Sequence, residues 1–324
     1  MPKYLVIGCL GIDTIIFEDG RSIPRQPGGD AYYGAVGAHI WDPSVGIVAV
    51  VPRTYPQEWL DTLQAGGVDT VGVFRNQGTF GLEGTITYQA DGTRLLGAQD
   101  GVLRFIQEYL PGLLVLLGKS MWPKVCPNGE HIPPSYLDAH AAFIAAAAPG
   151  CQASCLRALR GKVGTILLDP PPLLPGQKHG RVHDDLADLS LVDYLLPSEQ
   201  ECSEYWGDDV QPGEAAAKFF DLGARKVVLK QGARGVSLFL GRDVQPIRVP
   251  VYPTQVVDTT GAGDSFGGGF MVGLAETGDP IKAACYGAVS SSFVIEGFGA
   301  DHALQVTRQQ AEERLQVLLG SLKK

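Results

Sequence analysis

Asp264 lies in the middle of a glycine-rich run near the C-terminal end of the chain, QVVDTTGAGDSFGGGFMVGLAETG at 255–278. The pattern predicts a strand that ends at Asp258, followed by a helix that begins within the glycines. The first N–H groups of a helix have no intrahelical partner and carry the positive end of its dipole, so they can bind an anion. The predicted anion-binding residues are Gly261, Ala262, Gly263 and the following Asp264.

Asp264 falls in the first turn of this helix, beside the predicted anion site. An ionised carboxylate next to a substrate hydroxyl can act as a general base. The small residues Gly261 and Gly263 leave the main chain open to close approach by a ligand. The segment therefore predicts transfer of a phosphoryl group to a hydroxyl, with Asp264 as the base.

Two other motifs compete for this interpretation. GLLVLLGKS at 112–120 ends like a phosphate-binding P-loop, but five residues rather than four separate its glycines, and they read as a buried strand. G-x-S-x-G at 263–267, followed by Asp279 and His302, resembles the nucleophile elbow of a serine hydrolase. The sharp strand-to-serine turn is missing there, and only about sixty residues follow Ser265. Both motifs are therefore disfavoured.

Composition limits the partners. The 324 residues are 45% hydrophobic and carry a formal net charge of −9, without a basic run that would follow a nucleic-acid backbone. Six scattered cysteines with no C-x-x-C pattern indicate reduced thiols in a cytoplasmic protein. The longest apolar runs are too short to span a membrane. We expect neither nucleic acid nor membrane as a partner.

Short apolar runs alternate with helical stretches along the chain, which indicates a mainly parallel sheet covered on both faces. The predicted strands are 4–8, 45–51, 112–118, 164–170, 192–198 and 226–232. The predicted helices are 29–41, 56–66, 136–148, 151–161, 199–206 and 213–223. Thr307 and Gln310 fit a capping box that opens one further helix.

Two early segments, 12–27 and 76–97, break this alternation. Each carries an Asp-Gly turn between alternating residues, which is typical of an antiparallel hairpin. We expect the two hairpins to form a small separate sheet that acts as a lid over one edge of the main sheet. Tyr88 and Arg94 flank the second turn and could reach a substrate from that lid.

VVDTTGAGDSFGGGF resembles the C-terminal signature of the PfkB (ribokinase-like) carbohydrate kinases. GCLGID, PGGDAYYGAVGAHIW, LLPSEQE and VVLKQGARGVSLF match further segments of that family in the same order along the chain. The resemblance implies a three-layer α/β/α sandwich, with a mainly parallel central sheet and a small β-sheet lid. It also implies that 1–324 form a single kinase domain.

The resemblance assigns further residues to the site. Those implied to bind the substrate are Asp13, Gly28, Gly29 and Tyr33. Those implied to lie near the nucleotide ATP are Ser198, Glu201, Lys230, Gly232 and Gly235. Glu201 is expected to help place Mg²⁺ through water. Asp258 and Thr260 resemble the family's loop for a monovalent cation, which would be K⁺.

Three residues depart from the family pattern. Ser198 stands where asparagine is usual, Lys230 where threonine is common, and Tyr33 where an asparagine commonly contacts the sugar. Lys230 could still hold a phosphate as a point charge. The aromatic ring of Tyr33 could stack on a ring of the substrate or narrow the pocket.

The resemblance implies an ATP-dependent phosphotransferase whose acceptor is a hydroxyl of a sugar or sugar-like polyol. A nucleoside kinase of the same family is one alternative, and a catalytically weak ligand-binding homologue is another. A serine hydrolase is the least favoured interpretation. The lids of this family sometimes pair, so a homodimer is a further expectation.

Overall fold

The computed structural model describes residues 1–88, 94–98, 124–171 and 186–322. The predicted strand 112–118 and the G-K-S motif lie outside the described residues, and so does the turn at Ala90-Asp91-Gly92. The described chain contains strands and helices in alternation, numbered here along the sequence. No helix in the described ranges is both long and apolar enough to cross a bilayer.

Thirteen strands occur in the described residues. They are β1 (Tyr4–Ile7), β2 (Gly11–Ile16), β3 (Ser22–Gly28), β4 (Val45–Val51), β5 (Asp69–Arg75), β6 (Leu82–Tyr88), β7 (Arg94–Ala98), β8 (Ala141–Ile144), β9 (Thr165–Leu168), β10 (Tyr194–Leu195), β11 (Val227–Lys230), β12 (Val236–Phe239) and β13 (Ile247–Val249). The α-helices of the same ranges are α1 (Asp30–His39), α2 (Gln57–Ala65), α3 (Pro149–Leu159), α4 (Glu199–Trp206), α5 (Pro212–Asp221), α6 (Ala262–Thr277), α7 (Pro280–Val294) and α8 (Arg308–Ser321).

Nine strands form the main sheet in the order β13-β12-β11-β10-β9-β8-β1-β4-β5. The pairs from β11 to β5 are parallel, while β12 and β13 add to one edge antiparallel. In the centre, Val6 of β1 pairs with Ile47 on one side and Phe143 on the other. The central strands are apolar throughout because helices cover both faces of a parallel sheet.

Alternate residues of β1 show the three layers. Tyr4 and Val6 belong to one buried cluster, together with residues of α1, α6 and α7. Leu5 and Ile7 point to the opposite cluster, which contains residues of α3, α4 and α5. This alternation follows from the two-residue period of a strand. The predicted three-layer α/β/α sandwich is confirmed.

The predicted helix over 136–148 is wrong. Residues Ala141–Ile144 of this alanine-rich segment form β8, which pairs with β1 and β9 in the middle of the sheet. All four residues of β8 are at most 1% exposed. Burial between two strands outweighs the helix propensity of alanine here, and a short apolar run does not separate the two structures by periodicity.

The two predicted hairpins form a four-stranded sheet in the order β3-β2-β6-β7, called the small sheet below. β2 pairs antiparallel with β3, and β6 pairs antiparallel with β7. The two hairpins join through parallel pairing of β2 with β6. The small sheet is therefore continuous, as expected for the segments 12–27 and 76–97.

Helices α1 and α6 pack with their main chains in contact. A Cβ atom on Gly268 of α6 would lie 2.0 Å from the carbonyl oxygen of Gly34, and one on Gly37 of α1 would lie 2.2 Å from that of Ser265. No side chain fits between the helices at these points. The helix that carries Asp264 is thus held directly against the helix that follows Gly28 and Gly29.

The last helix begins as expected. The hydroxyl of Thr307 accepts a hydrogen bond from the amide of Gln310, and the Gln310 side chain accepts one from the amide of Thr307. This reciprocal pair satisfies two amides at the start of α8. The predicted capping box is confirmed.

Candidate active site

Helix α6 begins one residue after Gly261, which has a left-handed backbone conformation with φ of 73°. The predicted strand before it is wrong, because the described chain has no strand between β13 and α6. The amides of Val257 and Asp258 instead donate to the carbonyl oxygen of Ile295, at the end of α7. The segment before α6 is therefore hydrogen-bonded to the end of α7 and not to a strand of the sheet.

Two main-chain donors at the start of α6 remain available for an anion. The amides of Gly261 and Gly263 have no hydrogen-bond partner among the described residues. The amide of Ala262, in contrast, donates to the carbonyl oxygen of Thr259 over 3.3 Å. Among the four predicted anion-binding residues, Ala262 thus has its amide engaged, while the amides of Gly261 and Gly263 could bind an anion.

The ring of Tyr33 lies directly against Gly261. A Cβ atom at position 261 would lie 2.1 Å from two ring carbons of Tyr33, so only glycine fits beneath the ring. Tyr33 is 4% exposed, and its ring also makes an edge contact with Tyr32. Burial raises the pKa of Tyr33, and the charges of Asp13 and Asp258 raise it further. Tyr33 supports the start of α6, and its burial leaves little ring surface for stacking.

Asp264 is partly buried in the first turn of α6. Its charge acts on groups from three other parts of the fold: it raises the pKa values of Asp30, Asp169 and Lys230. Asp30 opens α1, Asp169 follows β9, and Lys230 ends β11. Asp264 therefore lies near enough to Asp30, Asp169 and Lys230 for its charge to affect their ionisation.

Lys230 is held by an ion pair at the carboxyl end of the sheet. Its Nζ atom lies 2.5 Å from Oδ2 of Asp169, and the side chains are only 12% and 3% exposed. The same Nζ atom lies 3.3 Å from the position that a Cβ of Gly263 would occupy. A buried cation therefore stands beside the anion donors, where it can contact a phosphate.

The pair has opposing electrostatic effects. Burial raises the pKa of Asp169, against the lowering effect of Lys230. For Lys230, burial lowers the pKa, but Asp169 and Glu201 raise it more, so the ammonium stays charged. Oδ1 of Asp169 is buried without a hydrogen-bond partner in the part of the chain that the structure describes.

The sequence interpretation missed Asp169, although a signal for it exists. An aspartate directly follows the buried run ILL of β9. Ligands of parallel α/β sheets bind at the carboxyl ends of the strands, so a polar residue in that position is a candidate site residue.

Ser198 and Glu201 form a capping box at the start of α4. The Ser198 hydroxyl accepts from the amide of Glu201, and Oε2 of Glu201 accepts from the amide of Ser198 over 2.6 Å. The S-x-x-E spacing could have predicted this cap. Burial raises the pKa of Glu201 to about 7, with the charge of Asp169 as the next contribution. Both residues thus have a structural role next to Lys230.

Gly232 and Gly235 bound a single 3₁₀ turn between β11 and β12. Both have positive φ, and a Cβ on Gly235 would lie 2.1 Å from the carbonyl oxygen of Val249. The turn follows Lys230 directly. The two glycines therefore lie close in sequence to Lys230, and their contact with the nucleotide stays a prediction.

Asp13 lies against Gly28, next to the start of α1. A Cβ on Gly28 would lie 1.9 Å from Oδ2 of Asp13, and one on Gly29 would meet the carbonyl oxygen of Cys9 at 2.4 Å. Burial raises the pKa of Asp13 to about 6, and the charge of Asp258 adds to this shift. The carboxyl group of Asp13 can thus approach a hydroxyl over bare backbone.

Asp30 was also missed. Its Oδ1 atom accepts a hydrogen bond from the amide of Cys9 over 2.5 Å, and burial raises its pKa. Asp30 follows the glycine pair within PGGDAYY and is the first residue of the predicted helix. An acidic residue at that position could have been recognised as a candidate site residue.

Asp258 is 2% exposed and lies between the small sheet and the start of α6. Its Oδ1 atom accepts hydrogen bonds from the Tyr88 hydroxyl and, over 2.7 Å, from the amide of Thr260. Its Oδ2 atom is buried and lacks a partner among the described residues. A buried carboxylate oxygen left in this way fits a small cation as well as a protein donor.

Ser265 is fully buried, and its hydroxyl donates to the carbonyl oxygen of Gly261 over 2.8 Å. The imidazole of His302 contacts the carbonyl oxygen of Phe293, at the far end of α7. A serine nucleophile needs an exposed hydroxyl that is hydrogen-bonded to its base. This geometry opposes the serine hydrolase interpretation.

These features bring buried charged side chains and two available main-chain amides together at the start of α6, in an α/β/α fold. Residues 152–307 match the family model described as pfkB family carbohydrate kinase. A cytidine kinase of Thermococcus kodakarensis is 31% identical over 285 residues, which cover 87% of this chain and 91% of that protein. The chain belongs to the PfkB family of carbohydrate kinases.

Solved structures share the fold at lower identity. A nucleoside kinase of Burkholderia thailandensis in complex with inosine has a TM-score of 0.69 and 18% identity, over 98% of this chain and 97% of that one. A ribokinase of Arabidopsis thaliana complexed with ribose and ATP has a TM-score of 0.67 and 21% identity, over 97% and 98%. The ribokinase-like fold predicted from the sequence is confirmed.

Proposed function

We propose that this kinase transfers the γ-phosphoryl group of ATP to a hydroxyl of a sugar or of a sugar-containing compound. Asp264 takes the proton of the acceptor hydroxyl, the hydroxyl oxygen bonds to the γ-phosphorus, and the bond to the leaving ADP oxygen breaks. The observation that carries the proposal is the place of Asp264 beside the available amides of Gly261 and Gly263. A base of this kind contributes roughly 10²–10⁴-fold to the rate.

The anion donors and Lys230 bear the charge of the transferring group. Amides at a helix start are oriented before the reaction begins, and a single such donor is worth roughly 10²–10³-fold in turnover. Lys230 stands beside Gly263 and can exchange part of its contact with Asp169 for a phosphate oxygen. The site thus offers two fixed dipoles and one ammonium to the phosphates.

The donor set fits Mg²⁺ held mainly by the nucleotide. Mg²⁺ usually takes one or two carboxylates together with phosphates and water. The free Oδ1 atom of Asp169 and the carboxyl group of Glu201 supply such oxygens. When bound, the ion would neutralise phosphate charge. Asp258, through its buried Oδ2 atom, and the neighbouring Thr260 would hold K⁺.

The small sheet acts as a lid in this proposal. Tyr88 of β6 reaches Asp258, and Phe17, just after β2, packs edge-on against Phe298 with ring centroids 5.3 Å apart. These contacts support a position of the small sheet, which includes Asp13 of β2, next to the segment before α6. Closure of this kind excludes water and suppresses phosphoryl transfer to it.

A nucleoside is the second candidate acceptor. The similarity to a cytidine kinase extends over 87% of the chain, and the partly exposed rings of Phe17, Tyr88 and Phe298 offer flat apolar surface next to the acceptor side. Ribose, cytidine and inosine should be compared as acceptors by ADP release. A higher kcat/KM for cytidine or inosine than for ribose would select the nucleoside.

The base assignment is tested with Asp264→Asn. We expect kcat to fall by roughly 10²–10⁴-fold, because the amide cannot take the proton, while the Kd for ATP changes by less than about threefold. Asp279→Asn is the matched control: Asp279 caps α7 through the amides of Ile281 and Lys282, and asparagine caps equally well. Near-normal turnover of Asp264→Asn would refute the assignment.

The binding-only alternative has its own outcome. ATP and each acceptor would raise the Tm of the wild-type chain, but no acceptor would release ADP above the rate with water. That result would replace the kinase proposal with a ligand-binding role on the same fold.

A further inference from the structure

Tyr88 connects the small sheet to the start of the catalytic helix. It is the last residue of β6, and its hydroxyl donates to Oδ1 of Asp258 across 170 residues of sequence. Its ring also lies nearly parallel to that of Phe17, with an interplanar angle of 16°. The connection therefore combines one polar contact with aromatic packing against Phe17, which follows β2.

Asp258 links Tyr88 to the residues that directly precede the predicted anion site. The same Oδ1 atom that accepts from Tyr88 accepts from the amide of Thr260, and Thr260 directly precedes Gly261. The carboxylate thus ties the small sheet to the turn that sets the left-handed conformation of Gly261. A hydrogen bond to a charged group is stronger than one between neutral groups, so this tie resists loosening.

The buried position of Asp258 makes the Tyr88 hydroxyl important. The side chain is 2% exposed, and its Oδ2 atom lacks a partner among the described residues. Loss of one of the two donors to Oδ1 would leave a buried carboxylate still less compensated. The carboxylate would then be expected to turn toward water and pull the Thr260 amide out of place.

We propose that Tyr88 is a positioning residue for phosphoryl transfer: its hydrogen bond to Asp258 aligns the Thr260-Gly261 turn when the small sheet covers the site. The consequence is that the amides of Gly261 and Gly263 reach their working orientation only with the small sheet in place. When the small sheet does not cover the site, the anion-binding amides would be misaligned, and phosphoryl transfer to water would be slow. This inference rests on the kinase function proposed above.

Tyr88→Phe removes the hydroxyl and keeps the ring. We expect kcat with the best acceptor among ribose, cytidine and inosine to fall about tenfold or more, while the Kd for ATP and the KM for the acceptor change by less than about threefold. Hydrogen–deuterium exchange on the full chain without ligands supplies a second measurement. Within 259–263, the hydrogen-bonded amides of Thr260 and Ala262 should exchange about tenfold faster in the variant, because the turn loses its anchor.

Tyr136→Phe is the matched control. The Tyr136 hydroxyl donates to Oδ1 of Asp69 over 2.7 Å, in another buried tyrosine–aspartate contact that does not reach α6. It should lower Tm without changing kcat or exchange at 259–263. If both variants lower kcat alike in proportion to Tm, Tyr88 has a merely structural role and the proposal is overturned.

A double-mutant cycle tests the route through Asp258. If Tyr88 acts through that carboxylate, Tyr88→Phe combined with Asp258→Asn should be no slower than Asp258→Asn alone. Independent, multiplicative losses would overturn the route, and so would unchanged exchange at 259–263 in Tyr88→Phe. If the wild-type chain turns over none of the acceptors, the kinase function fails, whereas the exchange comparison still decides whether Tyr88 orders the turn.

Discussion

Replacement of Lys230 by methionine should separate two roles of this residue, the stability of the buried cluster and the binding of phosphate. The change removes a cation that lies 2.5 Å from Asp169 and leaves that carboxylate, 3% exposed, without its partner. Removal of one member of a buried ion pair costs about 3–5 kcal/mol. At about 2 °C per kcal/mol for a chain of this length, Tm should fall by about 6–10 °C at pH 8.

The loss should depend on pH. Burial already raises the pKa of Asp169 with Lys230 in place, and without the ammonium the pKa rises further. A carboxyl group with a raised pKa binds protons more tightly in the folded state, so its contribution to stability improves as pH falls. The difference in Tm between Lys230→Met and the wild type should therefore be clearly smaller at pH 5.5 than at pH 8.

The second substitution Asp169→Asn completes the experiment. The double variant has no buried charge to compensate, so its Tm at pH 8 should recover most of the loss. Its kcat/KM for ATP should stay low, because neither variant offers an ammonium beside Gly263. Thermal unfolding at the two pH values and ADP release measure the two effects. Equal Tm losses in the single and double variants at pH 8 would refute the electrostatic reasoning, and full activity of either would refute the phosphate role.

Two further outcomes follow from the geometry. Gly261→Ala should lower kcat at least about 100-fold, because its Cβ would displace the Tyr33 ring. The control Gly278→Ala lies at the other end of α6, where φ is 66° and the space is open, so it should cost only about 1–2 kcal/mol of stability and leave kcat within about twofold. Equal kcat values for the two variants would contradict this reasoning. The pKa of about 6 for Asp13 predicts that kcat/KM for the acceptor falls as the pH drops from 7 to 5, because the carboxyl group becomes protonated. The same protonation should increase the contribution of Asp13 to the free energy of unfolding. Both trends should vanish in Asp13→Asn.

Local patterns in the sequence predicted much of the fold and part of the site. The start of α6 followed from its glycines, and the two hairpins followed from their Asp-Gly turns, because both signals depend on backbone conformation within a few residues. The strand predicted up to Asp258 was wrong for a tertiary reason: its amides bond to Ile295 instead of a neighbouring strand.

The contacts that the sequence did not reveal join residues that lie far apart in the chain. Asp169 and Lys230 are 61 residues apart and meet only because β9 and β11 end at the same edge of the sheet. The contact of Tyr33 with Gly261 depends in the same way on how α1 packs against α6. The spacing of motifs along the chain does not give the distance between such residues in space. The partners of Lys230 and Tyr33 could therefore be identified only from the structure.

The main-chain contact between α1 and α6 constrains how the enzyme can diversify. Since a Cβ atom on Gly268 would meet the Gly34 main chain, the packing of α1 on α6 fixes the distance between Gly28 and Gly29 on one side and Asp264 on the other. New acceptors would therefore be accommodated by exchange of side chains on the small sheet away from Gly28, which ends β3. Divergence among relatives in what they phosphorylate should accordingly concentrate in the covering strands and leave the helix crossing unchanged.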